Sequence, residues 1–137
     1  EIIGAKLLES MKYIGVLVIE FFVKADQLLA NEMAPRVHNS GHWTIEGSSL
    51  SQFLAHINAI TGESFESNIN FKNSIMFNIL SKFPSNDKIN RISKEFNIHV
   101  HDYHKTEREN RKLGHITHVC DDKNKMDYSI EKILEIL

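Results

Sequence analysis

The segment Ala30-Asn31-Glu32-Met33-Ala34-Pro35-Arg36-Val37-His38-Asn39-Ser40-Gly41-His42-Trp43-Thr44 brings a carboxylate, a guanidinium, two imidazoles, two amides and a proline break into close succession. A loop that only turns the chain needs Gly, Pro, Asn and Ser; it has no use for Glu32, Arg36, His38 and His42 as well. Upstream lies a strongly apolar stretch, Tyr13 to Val23, broken by a single acid, Glu20. Loops that leave a rigid strand can present polar groups without breaking a core, which makes this junction the candidate seat of chemistry.

What that chemistry is depends on how the two acids meet. Lys24-Ala25-Asp26 reads as a tight turn between a buried strand over residues 13–23 and a second strand over 27–33. Pro35 cannot donate to a ladder and should end the pairing. A hairpin that turns symmetrically about Asp26 sets Glu20 opposite Glu32, with Cβ atoms about 4.5–5.5 Å apart. Two carboxylates that close, among Val, Ile and Phe, require that one takes up a proton or that a cation sits between them. Hard oxygen ligands with few other protein donors suit magnesium, which shares its shell with substrate phosphates. A slipped register would instead send one acid to solvent. No Gly-rich phosphate loop of the Walker type is present, and the histidines lack zinc-type spacing with cysteine.

The positioning elements can be read along the rest of the chain. Ile3, Leu7 and Met11 recur at helical spacing beside Leu8, which predicts a helix over residues 2–12. Ser49 followed by Gln52 is a capping-box pattern ahead of an apolar stripe of Leu50, Phe53, Leu54, Ile57 and Ile60, with Gly62 as the stop. Residues 63–73 read as a polar connection, Ser74 to Leu80 as a strand, and Pro84-Ser85 as the start of a short helix with Ile89, Ile92 and Phe96 inward. Ile98 to His104 and Lys112 to Cys120 read as two strands. They are joined by the charged segment Lys105-Thr106-Glu107-Arg108-Glu109-Asn110-Arg111, which is either a phosphate clamp or a solvated loop. His99, His101, His104 and His118 alternate along these strands as structural or surface residues. Asp127 is placed to cap a last helix carrying Ile130, Ile133, Leu134 and Leu137. The class is mixed α and β with antiparallel hairpins, without internal repeats or low-complexity tracts.

Composition bounds the function. A chain of 137 residues makes one domain with a real core, or one lobe of something larger. A formal net charge of −2 gives no nucleic-acid footprint. Cys120 is the single cysteine, which rules out an internal disulfide and fits a reducing, cytoplasmic setting. No apolar run reaches the roughly 18 residues of a membrane span, and no signal-peptide pattern opens the chain. The start at Glu1, already inside an amphipathic helical pattern, is the expected look of a piece of a longer protein.

Three blocks, in order, carry a family resemblance: Gly15-Val16-Leu17-Val18-Ile19-Glu20-Phe21-Phe22, then Asn31 to Thr44, then Tyr103-His104-Lys105 with Asn110-Arg111-Lys112-Leu113-Gly114-His115-Ile116. Together they closely resemble the C-terminal part of the 5-(carboxyamino)imidazole ribonucleotide synthase family, over about residues 1–120. The middle block is not shared at this length by other ATP-grasp ligases. Many ATP-grasp enzymes carry Asn two residues after the second metal acid; Ala34 stands there, a change this family shares.

The resemblance implies an α+β fold, the C-terminal lobe of an ATP-grasp fold with antiparallel hairpins plus a small β-rich subdomain. Residues 1–62 would carry the metal and phosphate edge, and residues 63–137 the substrate-phosphate hairpin. It implies an ATP-dependent carbon–nitrogen ligase of purine biosynthesis, which carboxylates 5-aminoimidazole ribonucleotide with bicarbonate through carboxyphosphate. By position, Glu20 and Glu32 match the acids that hold magnesium against ATP, and Asn31 belongs to the same edge. Arg36 and His38 match the catalytic groups facing bicarbonate and carboxyphosphate, while Lys105 and Arg111 match residues on the ribonucleotide phosphate. The N-terminal and central lobes of the same protein are implied partners, as is a homodimer, whereas nucleic acid and membrane are not. The isolated 137 residues are expected to be inactive. Competing readings are another ATP-grasp carboxylase or purine ligase, and a non-catalytic ATP-grasp-like interaction domain.

Overall fold

The computed structural model describes residues 2–65 and 68–137, which divide into two compact units. The first comprises Glu1–Ile45 and Ser49–Ile69, the second Glu46–Ser48 and Asn70–Leu137.

The first unit opens with helix α1 (Ile2–Met11), followed by strands β1 (Val18–Lys24) and β2 (Gln27–Ala34). The strand expected from Tyr13 begins only at Val18, because the backbone before it serves other contacts. Gly15 has φ +136°, a conformation L side chains rarely adopt, and a Cβ there would lie 2.8 Å from the His56 ring. The Val16 N–H donates to His56 Nδ1 at 3.1 Å, and the Tyr13 hydroxyl donates to the Pro35 carbonyl at 2.7 Å. The strand is also less buried than its composition implied: Phe22 is 61% and Val23 74% exposed. β1 and β2 form a two-stranded ribbon, and its tip is uncovered in this chain.

Helix α2 (Thr44–Gly47) is a single turn, and α3 spans Gln52–Thr61. The N-cap of α3 is Ser51, whose hydroxyl accepts from the Leu54 N–H at 3.2 Å, rather than the expected Ser49. Gly62 ends the helix in the left-handed region at φ +75°, as the stop signal required. Phe53, Leu54, Ile57 and Ile60 of the apolar stripe are all exposed, and Gln52 is the buried residue of the helix. The polar connection expected over 63–73 includes residues 66 and 67, which lie outside the described residues.

The second unit is a three-stranded antiparallel sheet, β3 (Asn73–Leu80), β5 (Lys112–Cys120) and β4 (Ile98–Asp102) in spatial order, with helices α4 (Asn86–Glu95) and α5 (Met126–Ile136). β5 is central and buried along nearly its whole length, which explains its few charges. Ile79, Leu113 and Ile116 from the sheet, with Ile92, Phe96 and Ile133 from or beside the helices, form the core. Ser85 caps α4. β4 stops at Asp102 rather than His104, whose N–H donates to Asp102 Oδ1 at 2.7 Å with φ +52°, a side-chain-to-backbone turn that competes with the ladder. Asp127 lies in the first turn of α5 without capping it; Asp122 caps the preceding turn at Lys123–Lys125. Of the apolar residues on α5, Ile133 is buried and Leu134 is exposed. His118 is buried, His101 half-buried, and His99 and His104 exposed. No helix among the described residues is long and apolar enough to cross a membrane.

Candidate active site

The β1–β2 ribbon starts at its tip with a two-residue turn, pairing Lys24 with Gln27, Val23 with Leu28, Phe22 with Leu29 and Phe21 with Ala30. Continued without change, that register would set Glu20 against Asn31 and turn Glu32 to the opposite face. It shifts instead between Glu20 and Phe21, and Glu20 pairs with Glu32, Ile19 with Met33 and Val18 with Ala34. Asn31 is thus the extra residue of a β-bulge, a feature that re-aims side chains next to functional sites. Its Nδ2 reaches Glu20 Oε2 at 3.4 Å, so the amide joins the carboxylates.

His38 lies between the two acids. Its Nδ1 is 3.6 Å from Glu20 Oε1, its Nε2 is 3.6 Å from Glu32 Oε1, and its side chain is only 13% exposed. His38 also caps the turn Asn39–Gly41, with Nδ1 accepting from the Ser40 N–H. A neutral ring with Nδ1 as acceptor carries its proton on Nε2, the nitrogen that faces Glu32. Arg36 Nη2 is 4.0 Å from Glu32 Oε1 on an exposed side chain, and Nη1 donates to the Val37 carbonyl at 3.0 Å. The ribbon and the loop after it therefore gather Glu20, Asn31, Glu32, Arg36 and His38. Among the described residues no three His, Cys, Asp or Glu side chains form a metal cage. Two facing carboxylates could hold a cation whose remaining ligands are waters and phosphate oxygens, the habit of magnesium.

In the second unit, Lys105 and Arg111 occupy the loop between β4 and β5. That loop is braced rather than loose: Phe83 N–H donates to Glu107 Oε1 at 2.9 Å, Asn110 N–H to Ser81 Oγ at 2.9 Å, and Ser81 N–H to the Arg111 carbonyl at 2.8 Å. Arg111 Nη1 donates to the Thr106 carbonyl at 3.3 Å, and Lys105 Nζ lies 5.0 Å from the centroid of the Tyr103 ring. Beneath them, the Tyr103 hydroxyl meets Nδ1 of the buried His115 at 2.8 Å. The His115 ring stacks on His101 at 4.3 Å, and His101 Nε2 contacts Glu46 Oε1 at 2.7 Å. Burial pushes the Tyr103 phenol up, which keeps it a protonated hydroxyl.

Comparison with known proteins gives this arrangement its context. The ATP-grasp domain family matches residues 1–53, and the phosphoribosylaminoimidazole carboxylase C-terminal domain family matches residues 74–129. The N5-carboxyaminoimidazole ribonucleotide synthase of Pseudomonas aeruginosa is 38% identical over 128 residues, 93% of this chain and 35% of that relative. Over nearly its whole length the chain is similar to N5-carboxyaminoimidazole ribonucleotide synthases. It spans about a third of the length of the curated relatives it matches. The crystal structure of the synthetase from Thermus thermophilus superposes with a TM-score of 0.87 at 38% identity, covering 98% of this chain and 36% of that one. The synthase of Aspergillus clavatus, in complex with ADP and 5-aminoimidazole ribonucleotide, matches with a TM-score of 0.76 at 32% identity, covering 89% of this chain and 35% of that one. The mixed α and β architecture with antiparallel sheets is thus that of an ATP-grasp synthase.

Four further residues join these networks without having been read as site residues in the sequence. Gln52 was legible only as part of a capping pattern, Tyr103 and His115 only as members of the third resemblance block, and Glu46 carried no signal. Each makes its contact through tertiary structure.

Proposed function

We propose that the complete protein is an ATP-dependent carbon–nitrogen ligase of purine biosynthesis, which carboxylates the exocyclic amine of 5-aminoimidazole ribonucleotide with bicarbonate. The observation that carries this reading is the facing of Glu20 and Glu32 with His38 between them, in a chain whose relatives bear the synthase name. Residues 1–62 supply the metal and phosphate edge, and residues 63–137 the substrate-phosphate hairpin.

The reaction balances in two steps. A bicarbonate oxygen attacks the γ-phosphorus of ATP, the bond to the bridging oxygen breaks, and ADP leaves carboxyphosphate behind. The amine nitrogen then attacks the carboxyl carbon, the carbon–oxygen bond to phosphate breaks, and the amine loses a proton. Glu20 and Glu32 are the residues that would hold magnesium, which when bound neutralises charge on the ATP phosphates, and the Asn31 amide lies on the ATP-binding edge beside them. Arg36 offers a planar fork to the oxyanions of bicarbonate and carboxyphosphate, and its exposure leaves it free to reach them. His38 presents Nε2 from a fixed loop, a preorganised donor of the kind that stabilises developing charge. Lys105 and Arg111, on a braced loop, are a point charge and a fork for the ribonucleotide phosphate. The family resemblance supports a cytoplasmic homodimer, and the 137 residues by themselves are not expected to turn over ATP.

The test is ADP formation by the complete protein with magnesium, in the presence and absence of bicarbonate and of 5-aminoimidazole ribonucleotide. ADP release that needs bicarbonate and rises with the ribonucleotide is expected. Turnover indifferent to both would overturn the reading.

A further inference from the structure

Gln52 opens α3, yet its side chain turns inward and only 7% of the residue is exposed. Its Oε1 accepts from the His38 N–H at 2.9 Å, and its Nε2 donates to the His38 carbonyl at 2.8 Å. One amide therefore brackets both backbone polar groups of the same residue. The orientation of the amide is fixed, because a peptide N–H only donates and a carbonyl only accepts. The second Nε2 proton points at His42 Nδ1, 2.6 Å away, whose ring stacks on Phe53.

The surrounding loop is shaped to admit this side chain. Gln52 N–H donates to Thr44 Oγ1 at 2.9 Å, and Thr44 Oγ1 donates in turn to the Gly41 carbonyl at 2.6 Å. A Cβ on Gly41 would lie 2.5 Å from Gln52 Oε1, so that position has no room for a larger residue while the clamp is made. The helix itself does not need the contact, since Ser51 already caps α3 at Leu54. A buried amide that is spare for its own helix and bonded to both backbone polar groups of His38 serves His38.

We propose that Gln52 is the positioning residue for His38, fixing its backbone so that the imidazole stays between Glu20 and Glu32. This rests on the reading of His38 as a group of the carboxylation site. A displacement of about 1 Å at such a group costs up to about a hundredfold in rate. Substrate binding carried by other residues should be spared.

The experiment uses the complete protein with Gln52→Met, which keeps the volume and removes both hydrogen bonds, and Gln52→Glu. The latter keeps the acceptor for the His38 N–H but sets an oxygen against the His38 carbonyl. Ser51→Ala is the control, loosening the same helix without touching His38. For Gln52→Met we expect kcat for bicarbonate-dependent ATP cleavage to fall about 10–100-fold with KM for ATP within about twofold, and Gln52→Glu to move the same way. The His38 amide should exchange with solvent at least about tenfold faster in Gln52→Met, which lacks its acceptor. Ser51→Ala should lower Tm and leave kcat near wild type. Unchanged kcat in either Gln52 variant, or an equal kcat loss in Ser51→Ala, overturns the proposal. If Gln52→Met does not fold, Gln52→Glu decides. Should the wild-type protein show no bicarbonate-dependent cleavage, the functional reading fails on its own, and unchanged His38 amide exchange in Gln52→Met would then overturn the clamp separately.

Discussion

Glu20 and Glu32 face each other across the β1–β2 ribbon only because Asn31 is an extra residue in β2. The two-residue turn at the tip sets one register and the bulge replaces it with another, and the change puts two carboxylates and an amide on one face. A hairpin that served only the fold would avoid opposing like charges.

Glu32→Gln keeps the shape of that face and removes one of its charges. In the complete protein, turnover should fall at least about 100-fold, the scale of removing one strong electrostatic stabiliser. The magnesium concentration needed for half-maximal rate should rise. Tm should change little, since Glu32 is itself half-exposed and its contact with the exposed Arg36 is worth about 0–1 kcal/mol. Steady-state kinetics over a magnesium series checks this, and full activity would remove Glu32 from the phosphate edge.

His38→Ala should impair bicarbonate-dependent ATP cleavage while leaving nucleotide binding nearly intact. Isothermal titration with an ATP analogue, set beside initial rates, separates the two effects. Equal loss of binding and rate would make His38 a nucleotide contact instead.

Arg111→Ala should weaken binding of 5-aminoimidazole ribonucleotide by about 1.5–3 kcal/mol, the worth of a charge-assisted contact, with little effect on ATP. The brace at Ser81 uses the Arg111 backbone, so the loop should survive the change. Equal weakening of both ligands would place Arg111 elsewhere in the mechanism.

Tyr103→Phe deletes the hydroxyl bonded to His115 and should cost about 1 kcal/mol of stability in urea unfolding near neutral pH. The phenol is raised from its ordinary value of 10.0 by burial, so the folded state disfavours the phenolate. That contribution is fully present below pH 10.0 and is lost as pH rises through the higher folded value. The alkaline fall in stability should therefore be shallower in Tyr103→Phe than in wild type. Parallel alkaline limbs would show that Tyr103 does not titrate in this way.

Period and punctuation in the sequence located most elements. Lys112 to Cys120 was legible to the residue because a central strand reads as an unbroken run with few charges, and Gly62 and Ser85 marked helix ends through backbone needs that few residues meet. Burial was much less legible where an apolar face has no cover in this chain, as at Phe22, Val23, Leu54 and Ile57. The opposition of Glu20 and Glu32 was anticipated from a symmetric turn, whereas the real route is a tighter turn corrected by a bulge, a detail that alternation alone does not encode. Gln52 was hidden for a related reason: its helix-start position explains its presence, and only the fold shows that its amide is used on His38.

If ATP is spent on bicarbonate, a bicarbonate oxygen must end in the released phosphate. The complete protein, given heavy-oxygen-labelled bicarbonate, ATP, magnesium and 5-aminoimidazole ribonucleotide, should release inorganic phosphate carrying one labelled oxygen per turnover, because the attacking bicarbonate oxygen leaves with the phosphoryl group. Mass spectrometry of the phosphate reads this. Carboxylated product formed alongside wholly unlabelled phosphate would contradict the account.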